Sequence, residues 1–124
     1  MPWIKQQNTV STGKATEQFA AEYLTKQGLV LQSNNFHNRG GEIDLIMTDQ
    51  EIWVFIEVKY RRNNNFGGAI SAISIPKQKK IRQCATYYLH KAGLNEYNTP
   101  CRFDVIALQG EISNPKVNWL KNAF

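Results

Sequence analysis

Apolar and polar residues alternate through Gly41 to Tyr60, GEIDLIMTDQEIWVFIEVKY, with the two-residue rhythm of strands, interrupted at the polar centre TDQE. The pattern predicts a hairpin that turns about the Gln50–Glu51 bond. In its second strand Trp53, Phe55, Glu57 and Lys59 point to one face, and Val54, Ile56 and Val58 to the other. In its first strand Asp44 shares a side with Glu42 and Ile46, opposite Ile43 and Leu45. Such a turn sets Asp44 directly across from Glu57. Cross-strand neighbours lie about 5 Å apart at Cβ, and like charges so placed are destabilising. Two facing carboxylates, with Lys59 two positions beyond one of them, therefore call for a cation or a reaction, which is the pattern of a metal site.

Around the hairpin the periodicity changes. From Thr12 to Gln27 the apolar residues Ala15, Phe19, Tyr23 and Leu24 recur at helical spacing, with Ser11 or Thr12 as a cap and Gly28 closing the end. Residues 1–11 carry little pattern and are expected to form a flexible arm. Leu29 to Gln32 reads as a short strand, and Ser33 to Gly41 as a polar turn-rich segment. After the hairpin, the asparagines and paired glycines of RRNNNFGGA read as a mobile loop rather than an interdomain linker. A second helix starts near Pro76 and runs to about His90, burying Ile81, Cys84, Ala85 and Tyr88, with Gly93 beyond it. Arg102 to Leu108 reads as a strand, and the tail from Ile112 to Phe124 is expected to add a final short one. Helix, strand, hairpin, helix and strand in this order suggest an α/β domain, a mixed central sheet flanked by helices.

With 124 residues the chain is expected to be a single domain that needs neither disulfides nor a structural metal. No apolar run approaches the roughly eighteen residues of a membrane span, so no membrane association is expected. Cys84 and Cys101, outside any CxxC pair, read as reduced thiols, and the localisation expected is cytoplasmic. The net charge of +5 favours a polyanionic partner. Lys59, Arg61 and Arg62 follow the hairpin, and Lys77, Lys79, Lys80 and Arg82 open the second helix. A solvated helix face and a charge-protected strand would explain them equally well, but both clusters flank the carboxylate hairpin.

An acidic residue on one strand and ExK on the next, after a helix bearing a glutamate, resembles the PD-(D/E)xK nuclease fold, of the restriction-endonuclease-like or Holliday-junction-resolvase-like kind. The longer pattern resembles the YraN-type family of uncharacterised proteins within it. The matching segments are GKATEQFAAEYLTKQG, GEIDLI, VFIEVKYR, FG, KQKKI with the apolar positions after it, and RFDVI, which together cover most of residues 13–108. The resemblance implies a restriction-endonuclease-like sheet, a Mg²⁺ or Mn²⁺ site, and nucleic-acid handling.

Magnesium takes oxygen ligands and is usually held by one or two carboxylates, with waters completing the shell. Asp44 and Glu57 would supply those oxygens, and by analogy with similar folds the Val58 carbonyl a third. The ion would generate a nucleophilic water near neutral pH, and Lys59 would orient it or stabilise developing charge. Glu17 matches the helical glutamate of the family pattern, where it completes the metal site or orients water. In some sequences of this type arginine stands where Lys59 does. Lys77 matches a lysine of the pattern and starts the face continued by Ile81 and Ala85, so its ammonium is expected to reach the site and meet phosphate.

Each residue also has a plainer explanation. Asp44 and Glu57 would make simple ion pairs with Lys59 and an arginine. Glu17 would follow the preference of helix starts for acids, Lys77 would be a surface lysine, and Glu42 would be solvated at a strand start. Asp104 is expected to pair with Arg102 or a helix rather than bind metal. Tyr60 and Phe66 are candidates for base stacking, with packing as the commoner role.

These readings add up to a metal-dependent endonuclease that hydrolyses phosphodiester bonds in DNA, branched or junction DNA among the candidates, ahead of RNA. Asp44, Glu57, Lys59 and Glu17 form the catalytic set. Asp44, Glu57 and Val58 form the metal set, while Lys59, Arg61, Arg62, Lys77, Lys79, Lys80 and Arg82 contact nucleic acid. The alternative is a basic nucleic-acid-binding module that keeps the fold and cleaves nothing, and a third is an interaction protein with an acidic ion-pair network. The Trp119–Phe124 tail offers a surface for a homodimer.

Overall fold

The computed structural model of the protein describes residues 2–62 and 73–124, the first eleven of these (2–12) by their backbone. Seven elements follow in order: α1 (Pro2–Lys26), β1 (Val30–Asn38), β2 (Gly41–Asp49), β3 (Ile52–Arg61), α2 (Ile75–Lys91), β4 (Cys101–Gln109) and β5 (Lys116–Leu120). The strands form one five-stranded sheet in sequence order, in which β3 and β4 are parallel and every other pair is antiparallel. The single parallel pair is the one joined across α2, as a crossover connection requires. The mixed α/β architecture agrees with the alternation of periods along the chain.

Two helices bury the two faces of this sheet. Under α1, Ala20 and Leu24 pack with Leu45, Met47, Val54, Ile56, Ile106 and Leu108. Under α2, Ile81, Cys84, Ala85 and Leu89 pack with Ile43, Ile46, Phe55, Phe103 and Val105. Both cysteines are free, Cys84 buried within that second cluster. Among the described residues no helix is long and apolar enough to cross a membrane.

The β2–β3 hairpin has the register read from its alternation: Asp49 pairs with Ile52, Thr48 with Trp53, and so on to Leu45 with Ile56. Gln50 takes the positive φ of 57° that the tight turn demands. The α2 boundaries also agree to within a residue, and Ser74 caps its start by accepting from the Lys77 amide at 3.3 Å. The signal for that cap is a serine two positions before Pro76. Leu89 rather than Tyr88 is the fully buried residue of the last turn.

Three expectations change. First, α1 does not start at Thr12: the helix begins at Pro2, so the segment expected to be a flexible arm is helical from residue 2. Pro2 lacks only an amide that a first turn leaves unused, and Lys5, Gln6 and Gln7 favour helix. Second, β1 runs on to Asn38 instead of ending at Gln32. As an edge strand it needs backbone pairing rather than apolar alternation. It absorbs a bulge between Leu31 and Ser33 and a positive φ of 52° at Asn35. Third, Ile43 lies in the same cluster as Ile46, three positions away, although strict alternation places them on opposite faces. The side-chain alternation is therefore broken between them, and the break falls across Asp44 and Leu45.

Candidate metal and nucleic-acid site

The break in β2 creates the site. Had the register continued past Leu45 and Ile56, Asp44 would face Glu57 and Ile43 would pair with Val58. The ladder stops instead, and the Val58 amide donates to Asp44 Oδ2 at 2.8 Å. The side chain of Asp44 thus does for β3 what a main-chain carbonyl does elsewhere in the sheet. In a strand the amide and carbonyl of one residue point to the same flank. The Val58 carbonyl consequently faces the same gap between β2 and β3, next to Asp44. On the other flank Val58 lies beside Ile106 of the parallel strand.

The carboxyls of Asp44 and Glu57 interact, but not as the directly opposed ladder pair that the alternation predicts. Burial, followed by the charge of Glu57, pushes the Asp44 carboxyl up to about 8, with the Val58 hydrogen bond pulling the other way. Glu57 is 8% exposed, and its carboxylate forms an ion pair with the ammonium of Lys77 from the first turn of α2. For Lys77, burial works against the charged form, but the hydrogen bond and charge of Glu57 outweigh it and raise the ammonium above its ordinary value. Lys59, half-buried on β3, is held lower, first by burial and then by Lys77 and Arg61, with Glu57 opposing. Glu17 on α1 feels the same cluster: partial burial, Glu42 and Glu57 raise its carboxyl, while His37 lowers it. Glu42 itself is exposed and lies 3.3 Å from His37 Nδ1.

A hard divalent ion suits this donor set. Two carboxylates and a main-chain carbonyl offer oxygen only, and one or two carboxylates with water and phosphate oxygens are how Mg²⁺ is usually held. Desolvation first, and then the charge of Glu57, account for the raised Asp44 carboxyl. Among the described residues no three His, Cys, Asp or Glu side chains converge closely enough to hold an ion by themselves. Glu17 shares the electrostatics of this cluster through Glu42 and Glu57.

The basic residues separate. Lys77 and Lys80 line a groove of about 310 Å³ together with Gly41, Glu42, Ser74, Pro76 and Ile81. Lys80 packs so closely that a Cβ on Gly41 would lie 3.5 Å from its own. Lys79 is exposed on the same turn, and Arg61 and Arg62 are exposed at the end of β3, Arg61 bonded to its neighbour's carbonyl at 3.0 Å. Arg82 turns away: its guanidinium lies 4.7 Å from the centre of the Phe103 ring and 5.7 Å from that of Phe124. Tyr60 packs, its hydroxyl donating to the Gly110 carbonyl at 2.6 Å. Phe66 and the loop read from RRNNNFGGA, from residue 63 onward, lie outside the described residues.

Asp104 is structural. Fully buried, it accepts from Arg102 Nε at 3.1 and 3.2 Å, from Trp119 Nε1 at 3.0 Å and from the Asn122 amide at 2.9 Å. Arg102 also reaches Asp49 Oδ2 at 3.0 Å. The pairing with Arg102 follows the sequence reading, while the contacts to Trp119 and Asn122 depend on where β5 docks, which local pattern does not reveal.

Comparison with known proteins adds a family. Residues 16–108 match the family described as Uncharacterised protein family UPF0102. A UPF0102 protein of Colwellia psychrerythraea is 61% identical over 119 residues, covering 94% of this chain and 92% of the relative. UPF0102 proteins of Shewanella denitrificans and Nitrosococcus oceani are 45% and 46% identical over 115 and 112 residues. Those two alignments cover 93% and 90% of this chain, and 100% and 90% of the respective relatives.

Proposed function

We propose, from the premise that this chain belongs to the UPF0102 family, that it is a Mg²⁺- or Mn²⁺-dependent endonuclease acting on DNA, with a restriction-endonuclease-like arrangement of sheet and helices. The observation that carries the reading is the juxtaposition of Asp44 and Glu57 where β2 and β3 part, beside the flank of Val58 and within reach of two lysines.

Asp44, Glu57 and the Val58 carbonyl would hold the ion, which when bound supplies a polarised phosphate and a water acidic enough to attack near neutral pH. The work of the chain is to position these groups. The Val58 amide fixes the Asp44 carboxylate, so its free oxygen keeps one direction. Partial burial of Asp44 and the deeper burial of Glu57 strengthen the charge interactions between them. Lys59, whose ammonium is held below its ordinary value, is placed two residues beyond Glu57 to stabilise charge on the phosphate or steer the nucleophile. Lys77, Lys79 and Lys80, with Arg61 and Arg62, would hold the phosphate backbone on either side.

One observation favours a second reading. Lys77 already gives Glu57 a cation from the chain itself, which a non-catalytic nucleic-acid-binding module would also need. The two readings part in one experiment: incubation of the purified protein with Mn²⁺ or Mg²⁺ and a panel of linear, nicked and branched DNA, with RNA alongside. The nuclease reading expects cleavage that EDTA abolishes. Binding across the panel without cleavage under either metal would leave the binding module.

A further inference from the structure

The ion pair between Lys77 and Glu57 is unequal. The Glu57 side chain is 9% exposed and that of Lys77 51%, so the carboxylate is fixed in the protein while the ammonium borders solvent. Lys77 stands in the first turn of α2, where the helix dipole disfavours a cation, and no acidic residue occupies that turn to offset it. Lys80 lines the same groove. Glu57 is thus the anion that makes a lysine tolerable at this helix start, and Lys77 is the cation that makes a buried carboxylate tolerable beside Asp44. The same carboxylate is one of the two the metal reading requires.

We infer that Lys77 is an exchangeable counter-cation: it neutralises Glu57 in the metal-free protein, gives way when a divalent ion takes that carboxylate, and then serves the groove between Gly41 and α2 as a phosphate-binding group. The inference rests on the metal reading above and adds an order of events to it. Withdrawal of Lys77 costs little desolvation, because half of its side chain is already in water and its long stem can turn toward the groove. Once Glu57 is occupied, Lys77, Lys80 and the positive end of α2 face the groove with Glu42 as the remaining carboxylate lining it. A backbone phosphate adjoining the one held at the metal has the charge to fill that place. Metal binding and phosphate binding would then be coupled through one side chain, with the second site formed only when the first is filled.

The test follows Lys77 directly. In the wild-type protein, the ¹⁵N resonance of the Lys77 ammonium, assigned by its loss in Lys77→Gln, is monitored during a Mg²⁺ titration. Release from Glu57 is expected to shift it and speed its exchange with water as the ion binds. By calorimetry Lys77→Gln should bind Mn²⁺ about two- to fivefold more tightly than wild type, the fold-change a partly exposed ion pair is worth. Lys77→Arg, which keeps the competing charge, should bind no more tightly than wild type and guards against a folding artefact in the glutamine variant. With Mg²⁺ present, Lys77→Gln should also bind a duplex oligonucleotide more weakly, while in EDTA the two proteins should bind alike. If Mg²⁺ binds wild type and the Lys77 resonance stays put, or Lys77→Gln gains no Mn²⁺ affinity, the pair is a fixed strut and the exchange is wrong, leaving the metal reading intact. If Mn²⁺ binds Lys77→Gln but not wild type, Lys77 is a permanent substitute for the ion. If neither protein binds metal, both the exchange and the metal reading fall.

Discussion

Asp44 holds the Val58 amide at 2.8 Å, a side chain standing in for the next rung of the β2–β3 ladder. This bond separates two consequences of altering Asp44. An asparagine retains a carbonyl oxygen for the amide and removes the repulsion with Glu57. Asp44→Asn should therefore fold as stably as wild type or more so in the absence of metal, yet lose most Mn²⁺ affinity. Asp44→Ala leaves the amide without its acceptor and should be less stable than Asp44→Asn by about 1–3 kcal/mol. Urea denaturation of the three proteins checks the order. A collapse of apo stability in Asp44→Asn would favour a simple ion-pair network.

The raised carboxyl of Asp44 gives stability a pH dependence of unusual sign. In the unfolded chain it loses its proton near 3.8, and in the folded protein near 8. Between those values the folded state binds the proton that the unfolded state has released. The contribution of this group to stability is full below about pH 4 and falls as pH rises toward 8. The difference in stability between Asp44→Asn and wild type should accordingly widen across that window and level off above it. Mn²⁺ affinity should run the other way, rising about tenfold per pH unit below 8, because the ion must displace that proton. Curves for the two proteins that stay parallel from pH 4 to 8 would contradict the assignment.

In the proposed site Lys59 would act through its charge rather than as a ligand. Lys59→Ala should keep Mn²⁺ and DNA binding largely intact while turnover falls, the mark of an interaction made mainly in the transition state. Lys59→Arg keeps the charge with a different shape and without a removable proton. Partial turnover in the arginine variant would identify electrostatic assistance, and complete loss would identify positioning or proton transfer. Undiminished turnover in Lys59→Ala would remove the residue from the catalytic set.

The basic residues should differ in a way their adjacency in sequence hides. DNA affinity should fall steeply with salt as neutralised phosphates release counterions. Lys79→Glu and Lys80→Glu should weaken binding to every sequence alike. Arg82→Gln should instead lower stability by about 0.5–2 kcal/mol through lost contact with Phe103 and Phe124, with a small effect on DNA binding. Filter binding across a salt series, with thermal melts of the same variants, distinguishes the two classes.

What the sequence shows and hides at this site follows from which forces act locally. The hairpin register was legible from Asp49 to Leu45 because both strands alternate about the TDQE centre, whereas the predicted Asp44–Glu57 rung gives way to the bond from the Val58 amide to Asp44. The break in alternation that puts Ile43 in the cluster of Ile46 was not legible, since nothing in the local pattern marks it; it falls opposite the left-handed Asn35, between the partners of Leu45 and Ile43. β1 itself lacks alternation because an edge strand with mostly exposed side chains has no face to specify. The reach of Lys77 could be anticipated from the face it shares with Ile81, whereas the departure of Arg82 depends on Phe124, at the far end of the chain.

Whether Asp44 and Glu57 hold one catalytic ion is decided by Mn²⁺-dependent DNA cleavage by wild type, Asp44→Asn, Glu57→Gln and the double variant, assayed side by side. Groups that hold one ion act as a unit and lose activity non-additively. Each single variant should therefore be nearly as inactive as the double, while all four still bind DNA. Independent, multiplicative losses from the two substitutions, or a wild-type protein that binds DNA and leaves it intact, would contradict a shared catalytic ion.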